Sequence, residues 1–365
     1  MSMATSASFV DADAAMAAIA QGGRQLAGAS VAGLDFSGRD LSKVHWRDMD
    51  LAQARFDRAD LEGAVFERCR LLAAVLAEAN LTATQWQGCD LQGALLRGTR
   101  GERISMSECS LREVGAAGAQ WTHAMLDRCD LSAASFADAV LLRSDAHQCR
   151  FEGSDFSRAV LQRFTAMDAD LGSARFDATD LTQAYLAGAR LAGQRLGNCV
   201  LLMAQFNCAD LAGADFSKAQ LRQAQFQHAT LEGAVFSGAS GLHVRFGDAR
   251  MARALLDDAQ FEMSDFARAD LAAAELSALR APQSVFAGAR CQGARMARAV
   301  FTDCDFSHAD LGGADCSRAD FSGANLHRVA DRGTNWTDAV RRGSFGTDAE
   351  RARAEDWRPA PATLS

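Results

Sequence analysis

The chain has 365 residues, of which 48% are hydrophobic and 23% charged, with only 3 prolines and 1 tyrosine; this composition excludes a disordered or collagen-like polypeptide. A formal net charge of −8 argues against a general phosphate-binding surface, which needs clustered Lys and Arg, so no nucleic-acid ligand is expected. No run reaches the roughly 18 apolar residues of a membrane span, the N-terminus lacks a basic segment, and Asp11 and Asp13 interrupt its apolar stretch; a cytoplasmic protein with no membrane partner is expected.

Taken in chain order, residues 1–28 read as an N-terminal cap. Residues 11–21 start with a residue of N-cap type and end at Gly22 and Gly23, which predicts a short helix closing the first turn of whatever follows. From 29 to 343 the chain keeps one five-residue register. Of 63 blocks whose middle residues fall at 31, 36, 41 and so on to 341, 55 carry Leu, Phe, Met, Trp, Val or Cys in the middle. Two residues earlier, 56 of 63 are Ala, Cys, Ser, Thr or Val. Neither a helix, with period 3.6, nor a simple strand, with period 2, produces this pattern.

Stretches such as Ala59-Asp60-Leu61-Glu62-Gly63, Ala209-Asp210-Leu211-Ala212-Gly213 and Ala269-Asp270-Leu271-Ala272-Ala273 resemble the A(D/N)LXX motif of the pentapeptide-repeat family, and the resemblance covers about 86% of the chain. It implies an all-β fold, a right-handed quadrilateral β-helix of about 16 coils. Four pentapeptides make each coil, with the middle residue and the one two before it pointing inward. At a strand-like spacing of about 4.8 Å per coil, the rod would be roughly 75 Å long.

Four blocks per coil can be tested on the charges, because stacked strands penalise like charges placed opposite one another. At the position before each middle residue, 17 pairs 20 apart are both charged and 15 of them are opposite in sign, whereas at a separation of 5 only 7 of 17 are. One column reads Asp50, Arg70, Asp90, then Asp130, Arg150, Asp170, Arg190, Asp210, then Arg250, Asp270, Arg290, Asp310, and is expected to satisfy itself. Where the middle residue shrinks to Ala116, Ala166 or Ala281, the residue two before grows to Val114, Phe164 or Leu279, as a close-packed interior requires. Gly101 and Gly241 are not compensated in this way and are expected to mark bulges or mobile corners. Residues 344–365 read as a C-terminal helix, opened by the capping pattern Thr347 to Glu350, and a loose tail from 358. That helix would either cap the last coil or join two molecules, giving a monomer or a dimer.

No constellation for catalysis, cofactor binding or metal binding is expected. Seven of the ten cysteines, at 69, 89, 109, 129, 149, 199 and 304, occupy the small inward slot, and Cys291 and Cys316 are middle residues. Free Cys there is a small buried hydrophobe, with no Cys-x-x-Cys pair. All seven histidines fall at outward positions and are read as scattered over faces and coils. One charge feature is unbalanced: Asp305, Asp310, Asp315 and Asp320 occupy equivalent positions in four successive blocks, with Asp303 beside them and Arg318 as a partial offset. This acidic ring is the candidate docking site for a protein partner. Gly33 to Leu41 and Asn335 to Arg341 resemble, more loosely, long pentapeptide-repeat proteins encoded with bacterial type VI secretion systems. The expected function is therefore a non-enzymatic scaffold or adaptor, in secretion. The alternative is an acidic rod that mimics DNA and binds gyrase; against it stand the chain's length, its uninterrupted register and a charge column that alternates in sign.

Overall fold

The computed structural model describes residues 7–357; the tail expected from 358 lies outside the described residues. The chain forms two compact units, one ending at Asp210 and one beginning at Leu211. In each, a parallel β-solenoid is built from three-residue strands and single bridges, with partners 20 positions apart, as in Trp46 opposite Phe66, Asp60 opposite Asn80 and Arg250 opposite Asp270.

The repeat follows from how the backbone satisfies itself. The residue before each middle position donates back one coil (Asp50 N to Ala29 O, 3.0 Å), and the middle residue donates forward (Leu51 N to Arg70 O, 2.7 Å). Two residues later the chain turns a corner on a left-handed residue such as Gln53 (φ 58°), whose N–H reaches Leu72 O at 2.8 Å. An L-residue in this conformation costs roughly 1–2 kcal/mol, which the corner bonds offset by leaving no buried N–H unpaired. Asp, Asn and Ser suit the position before the middle residue because their side chains accept the N–H two ahead, as Asp35 does from Ser37 (2.8 Å).

Inside, the columns predicted from the register are buried. Phe36 stacks on Phe56 with centroids 5.4 Å apart, Phe216 on Phe236 at 4.8 Å and Phe286 on Phe306 at 4.6 Å, with near-parallel rings. The compensated pairs Ala166 with Phe164 and Ala281 with Leu279 are buried too. Gly101 and Gly241 are not bulges, contrary to the sequence reading. Both sit in regular strands, Arg100–Glu102 and Ser240–Leu242, opposite Trp121 and Phe261. A Cβ on Gly101 would lie 2.6 Å from Ile104 Cδ1, and one on Gly241 would collide with Val244. The compensating bulk comes from three residues ahead rather than two before.

At the N-terminus, helix α1 (Ala12–Gln21) is capped by Asp11, which accepts Ala14 N at 2.8 Å, and buries Ala15 and Ile19. The ladder starts before residue 29, since Gln25–Ala27 already pairs with His45–Arg47. At the other end, helix α2 (Ala349–Asp356) buries none of its own residues, and the interior positions Leu326, Val329 and Trp336 of the last coil stay half-exposed.

One region of the first unit breaks the ladder. The bridges Arg150 to Asp170 and Arg175 to Arg195 are missing, and among the described residues the N–H groups of Gln148, Phe151, Asp170, Phe176, Ala178 and Arg195 have no partner. Gly153 N turns instead to Ser173 Oγ at 3.0 Å. Ser173 and Asn198 lack the left-handed backbone of the corners around them, Asp168 (φ 56°), Ala178 (φ 53°) and Met203 (φ 55°). Three causes coincide here. The coil from 151 to 170 holds Phe151, Phe156 and an outsized Phe164, packed at tilted angles with centroids 6.0 and 6.3 Å apart, and overfilling displaces backbone. Gln194 fills a slot meant for Ala and spends its amide on Leu171 O, Gly172 O and Ala174 O. Arg175 and Arg195 place like charges opposite each other.

Two stability measurements check this account by denaturant unfolding. Cys109→Ala should change stability little, because Ala fills the same slot further along the column, at Ala169 and Ala189, whereas Phe216→Ala should cost about 3–5 kcal/mol through the cavity it leaves. Gly101→Leu should cost about 1–3 kcal/mol by overpacking, and adding Ile104→Ala should recover most of that loss; no recovery would mean Ile104 is not what fills the space.

Candidate functional site

The acidic ring is assembled in the second unit as the register requires. Asp305, Asp310, Asp315 and Asp320 bridge to Asn325, Ala330, Asn335 and Val340 of the following coil. Each Oδ1 accepts the backbone N–H two residues ahead, from Ser307, Gly312, Ser317 and Ser322, at 2.9 to 3.0 Å. Asn325 and Asn335 add side-chain donors to Asp305 (2.8 Å) and Asp315 (2.9 Å). The hydroxyl and N–H of Ser317 hold the Asp315 carboxyl below the usual carboxylate range. Among the described residues none of the four, nor Asp303, has an ion-pair partner, and Arg318 leans towards Asp338 at 3.8 Å rather than offsetting the ring. Their orientation is therefore fixed by the fold; Asp305 and Asp320 have Val285 and Val300 opposite them in the preceding coil, whereas Asp310 and Asp315 face Arg290 and Arg295 without forming an ion pair.

Elsewhere many carboxylates meet Arg, while Asp60, Asp90, Asp180 and Asp265 accept the N–H two ahead as the ring does and have no ion-pair partner among the described residues. The alternating column is only partly realised. Arg190 meets Asp170 at 2.9 Å and Arg290 meets Asp270 at 2.6 Å, but Asp130 pairs with Arg112 and Arg250 with Glu232. A second set of pairs, on the left-handed corners, escaped the sequence reading: Arg68 with Asp48, Arg158 with Asp138 and Arg268 with Asp248, each two-pronged at 2.6 to 2.8 Å. The same spacing of 20 would have revealed them at that position of the repeat. Exposed pairs of this kind contribute little individually.

The histidines are not all scattered, which corrects the sequence reading. His327 is buried, its ring centroid lies 5.4 Å from that of His308, and Glu355 of α2 meets both, at 3.2 and 3.3 Å. The sequence concealed this because Glu355 comes from outside the register. Two imidazoles and a carboxylate are a plausible donor set for a divalent metal, but the hydrogen bonding opposes it. Nδ1 of His327 accepts Asp348 N–H at 3.1 Å, so its proton sits on Nε2, the atom a metal would need. Glu355 also binds Arg351 at 2.9 Å and Arg328 at 3.6 Å. His327 first, then Arg351, hold its carboxyl down at about 2. The arrangement is a latch that ties α2 to the side of the last coils.

The ladder break opens a surface cleft in the first unit, lined by Cys149, Arg150, Phe151, Asp168, Ser173 and Arg190 among others. The Arg150 guanidinium has no ion-pair partner among the described residues. Cys69, Cys89, Cys109, Cys129 and Cys149 follow one another down one interior column, all as free thiols. Cys89 and Cys129 donate to the carbonyls of Phe66 and Met106 at 3.3 and 3.4 Å. Contact with the thiols above and below, then burial, pushes the Cys89 thiol up, and Cys129 does the same to Cys149.

Comparison with solved structures finds matches at low identity and low TM-score. A trypsin-treated variant of QnrB1, a plasmid-mediated fluoroquinolone resistance protein, is 19% identical over 54% of this chain and 87% of its own, with a TM-score of 0.39. HetL, a pentapeptide repeat protein involved in heterocyst differentiation regulation in Nostoc sp. strain PCC 7120, is 18% identical over 93% of this chain and 98% of its own, with a TM-score of 0.27. A pentapeptide repeat protein of the Arabidopsis thaliana thylakoid lumen is 22% identical over 38% and 66%, at 0.16. No curated protein matches the chain. No helix among the described residues is long and apolar enough to cross a membrane. The family model for pentapeptide repeats matches in eight copies, over residues 29–68, 74–112, 124–163, 204–240, 219–258, 264–303 and 299–330, and together with the 20-residue ladder and the stacked Leu and Phe columns this establishes that the chain belongs to the pentapeptide-repeat family.

Proposed function

We propose that this chain is a non-enzymatic interaction scaffold or adaptor, with a protein as its partner and type VI secretion as its setting. The observation that supports the reading is the acidic coil. Asp305, Asp310, Asp315 and Asp320 hold their Oδ1 atoms on backbone N–H groups and, with no ion-pair partner among the described residues, place four oriented carboxylates on successive faces of one coil. Fixed charge raises encounter rates with a basic surface and fixes its register. The solenoid interior is filled by stacked side chains, so recognition falls to the outside. A basic patch on a secreted effector, or on the apparatus that loads it, is the complementary partner.

The second reading, a DNA mimic acting on gyrase, draws on the same ring and on the net charge of −8. A mimic needs a continuous negative potential, and the Arg190–Asp170, Arg268–Asp248 and Arg290–Asp270 pairs interrupt it.

Replacing Asp305, Asp310, Asp315 and Asp320 together with Asn keeps an acceptor for each backbone N–H and removes the charge. The variant should keep the parent's circular dichroism and melting temperature while losing its native partner, in a complex whose affinity falls as salt rises. The unmodified protein should leave gyrase supercoiling unaffected. Strong inhibition of gyrase, abolished by the Asn changes, would replace the adaptor reading with the mimic.

A further inference from the structure

We propose that the column of Cys69, Cys89, Cys109, Cys129 and Cys149 is a binding site for soft monovalent d10 cations, Cu(I) or Ag(I), each held in line between two successive thiolates, with the cleft at the ladder break as the way in.

The spacing carries the argument. The strands that precede the first four of these cysteines pair in register, Val65–Glu67 with Gln85–Gln87, then with Ser105–Ser107, then with Met125–Asp127, and Asp145–His147 follows. The sulfurs therefore repeat at the strand spacing of about 4.8 Å. A zinc–thiolate bond is about 2.3 Å long; bonds of about that length in line span about 4.6 Å, so a thiophilic cation fits between neighbouring rungs without moving the backbone. A tetrahedral zinc site does not fit a single column, because its third and fourth ligands would have to come from side chains that face elsewhere. Thiolate softness selects Cu(I) and its congeners. Each thiol already faces its neighbours, and its S–H is spent on carbonyl oxygens, as Cys69 is on Trp46 O at 3.4 Å and Cys149 on Leu126 O at 3.4 Å, so the sulfurs are oriented along the column.

Access and charge favour the same end. Cys149 is 9% exposed, against 1 to 2% for the four others, because the coil beyond it has parted from Gln148 to Phe151. Cys149 lines the cleft, and a neighbouring groove reaches Cys109 and Cys129 beside Arg128 and Arg150. Binding one cation converts two thiols into a dithiolate complex with a charge of −1 and releases two protons to solvent. The unpaired Arg150 lowers the cost of that buried anion, whereas Arg128 is already tied to Glu108 and Asp127. Five thiols offer two independent pairs and one sulfur left over.

The test uses the full chain with Cys208→Ser and Cys316→Ala as the parent, because Cys208 is exposed and Cys316 lies 3.9 Å from Met296 Sδ, a second soft pair. Ag(I) is added and counted by native mass spectrometry. The parent should bind two cations, with about two protons released for each. Cys109→Ala leaves the pairs Cys69 with Cys89 and Cys129 with Cys149, and should still bind two. Cys89→Ala with Cys129→Ala leaves three sulfurs two rungs apart and should bind none. Should that variant not fold, Cys69→Ala with Cys109→Ala leaves Cys129 and Cys149 as the one adjacent pair, with Cys89 isolated, and should bind one. X-ray absorption should show two sulfur neighbours at about 2.3 Å. Fewer than two cations in the parent, loss of both in Cys109→Ala, or unchanged binding in Cys89→Ala with Cys129→Ala would overturn the proposal.

Discussion

The ladder bond between a corner N–H and a carbonyl of the next coil is the interaction on which this structure depends. A corner such as Gln53 or Arg58 adopts a left-handed backbone that an isolated peptide avoids, and only the neighbouring coil makes it worthwhile, through Gln53 N to Leu72 O and Arg58 N to Ala77 O. No coil is stable alone, and each is stabilised by stacking, which is the energetics of a one-dimensional repeat. The strictness of the five-residue register follows, since one inserted residue would turn every interior side chain outward.

The same bond explains where function can be placed. Because interior and backbone are committed wherever the ladder is intact, the surface varies there only at three outward positions per block, and a feature is either paired with the coil above or below or left for a partner. Asp48 with Arg68 is of the first kind and the ring at Asp305 to Asp320 of the second. The difference is legible in the sequence. For two of the four this holds: twenty residues before and after Asp320 stand Val300 and Val340 rather than Arg, and Asp305 is flanked by Val285 and Asn325, whereas Asp310 and Asp315 follow Arg290 and Arg295, which stand opposite them without an ion pair.

Most of the fold could be read from the sequence because its determinants are local to the repeat: middle residue, small slot and charge at a spacing of 20. What could not be read lies outside the register or between its positions. The Glu355 latch joins a helix to coils 28 and 47 residues earlier in the sequence, and no five-residue pattern encodes that. Compensation for Gly101 crosses the block boundary, since Ile104 belongs to the next small slot and its side chain leans back over the glycine. The column of five cysteines is plain in the sequence, but the thiol is also a good filler of an Ala-sized hole, and the sequence offers no measure of how those sulfurs face one another.

The ladder break carries the same lesson in a stronger form, because each of its causes was present in the sequence and none sufficed alone. Phe164 could be excused as compensation for Ala166. Gln194 is one of few exceptions in a slot that tolerates some variation, and Arg175 opposite Arg195 is one of only two like-charged stacks among 17. The other, Asp40 opposite Asp60, keeps its bridge, so like charge by itself does not part the coils. At Asp60 the carboxylate accepts Asn80 Nδ2 at 2.9 Å, and the coil around it is packed by Leu51, Phe56 and Leu61 in ordinary slots. At Arg195 the repulsion coincides with an overfilled coil below and a buried amide that competes for the Leu171, Gly172 and Ala174 carbonyls. A cooperative ladder absorbs one local fault and yields to three that meet at one corner.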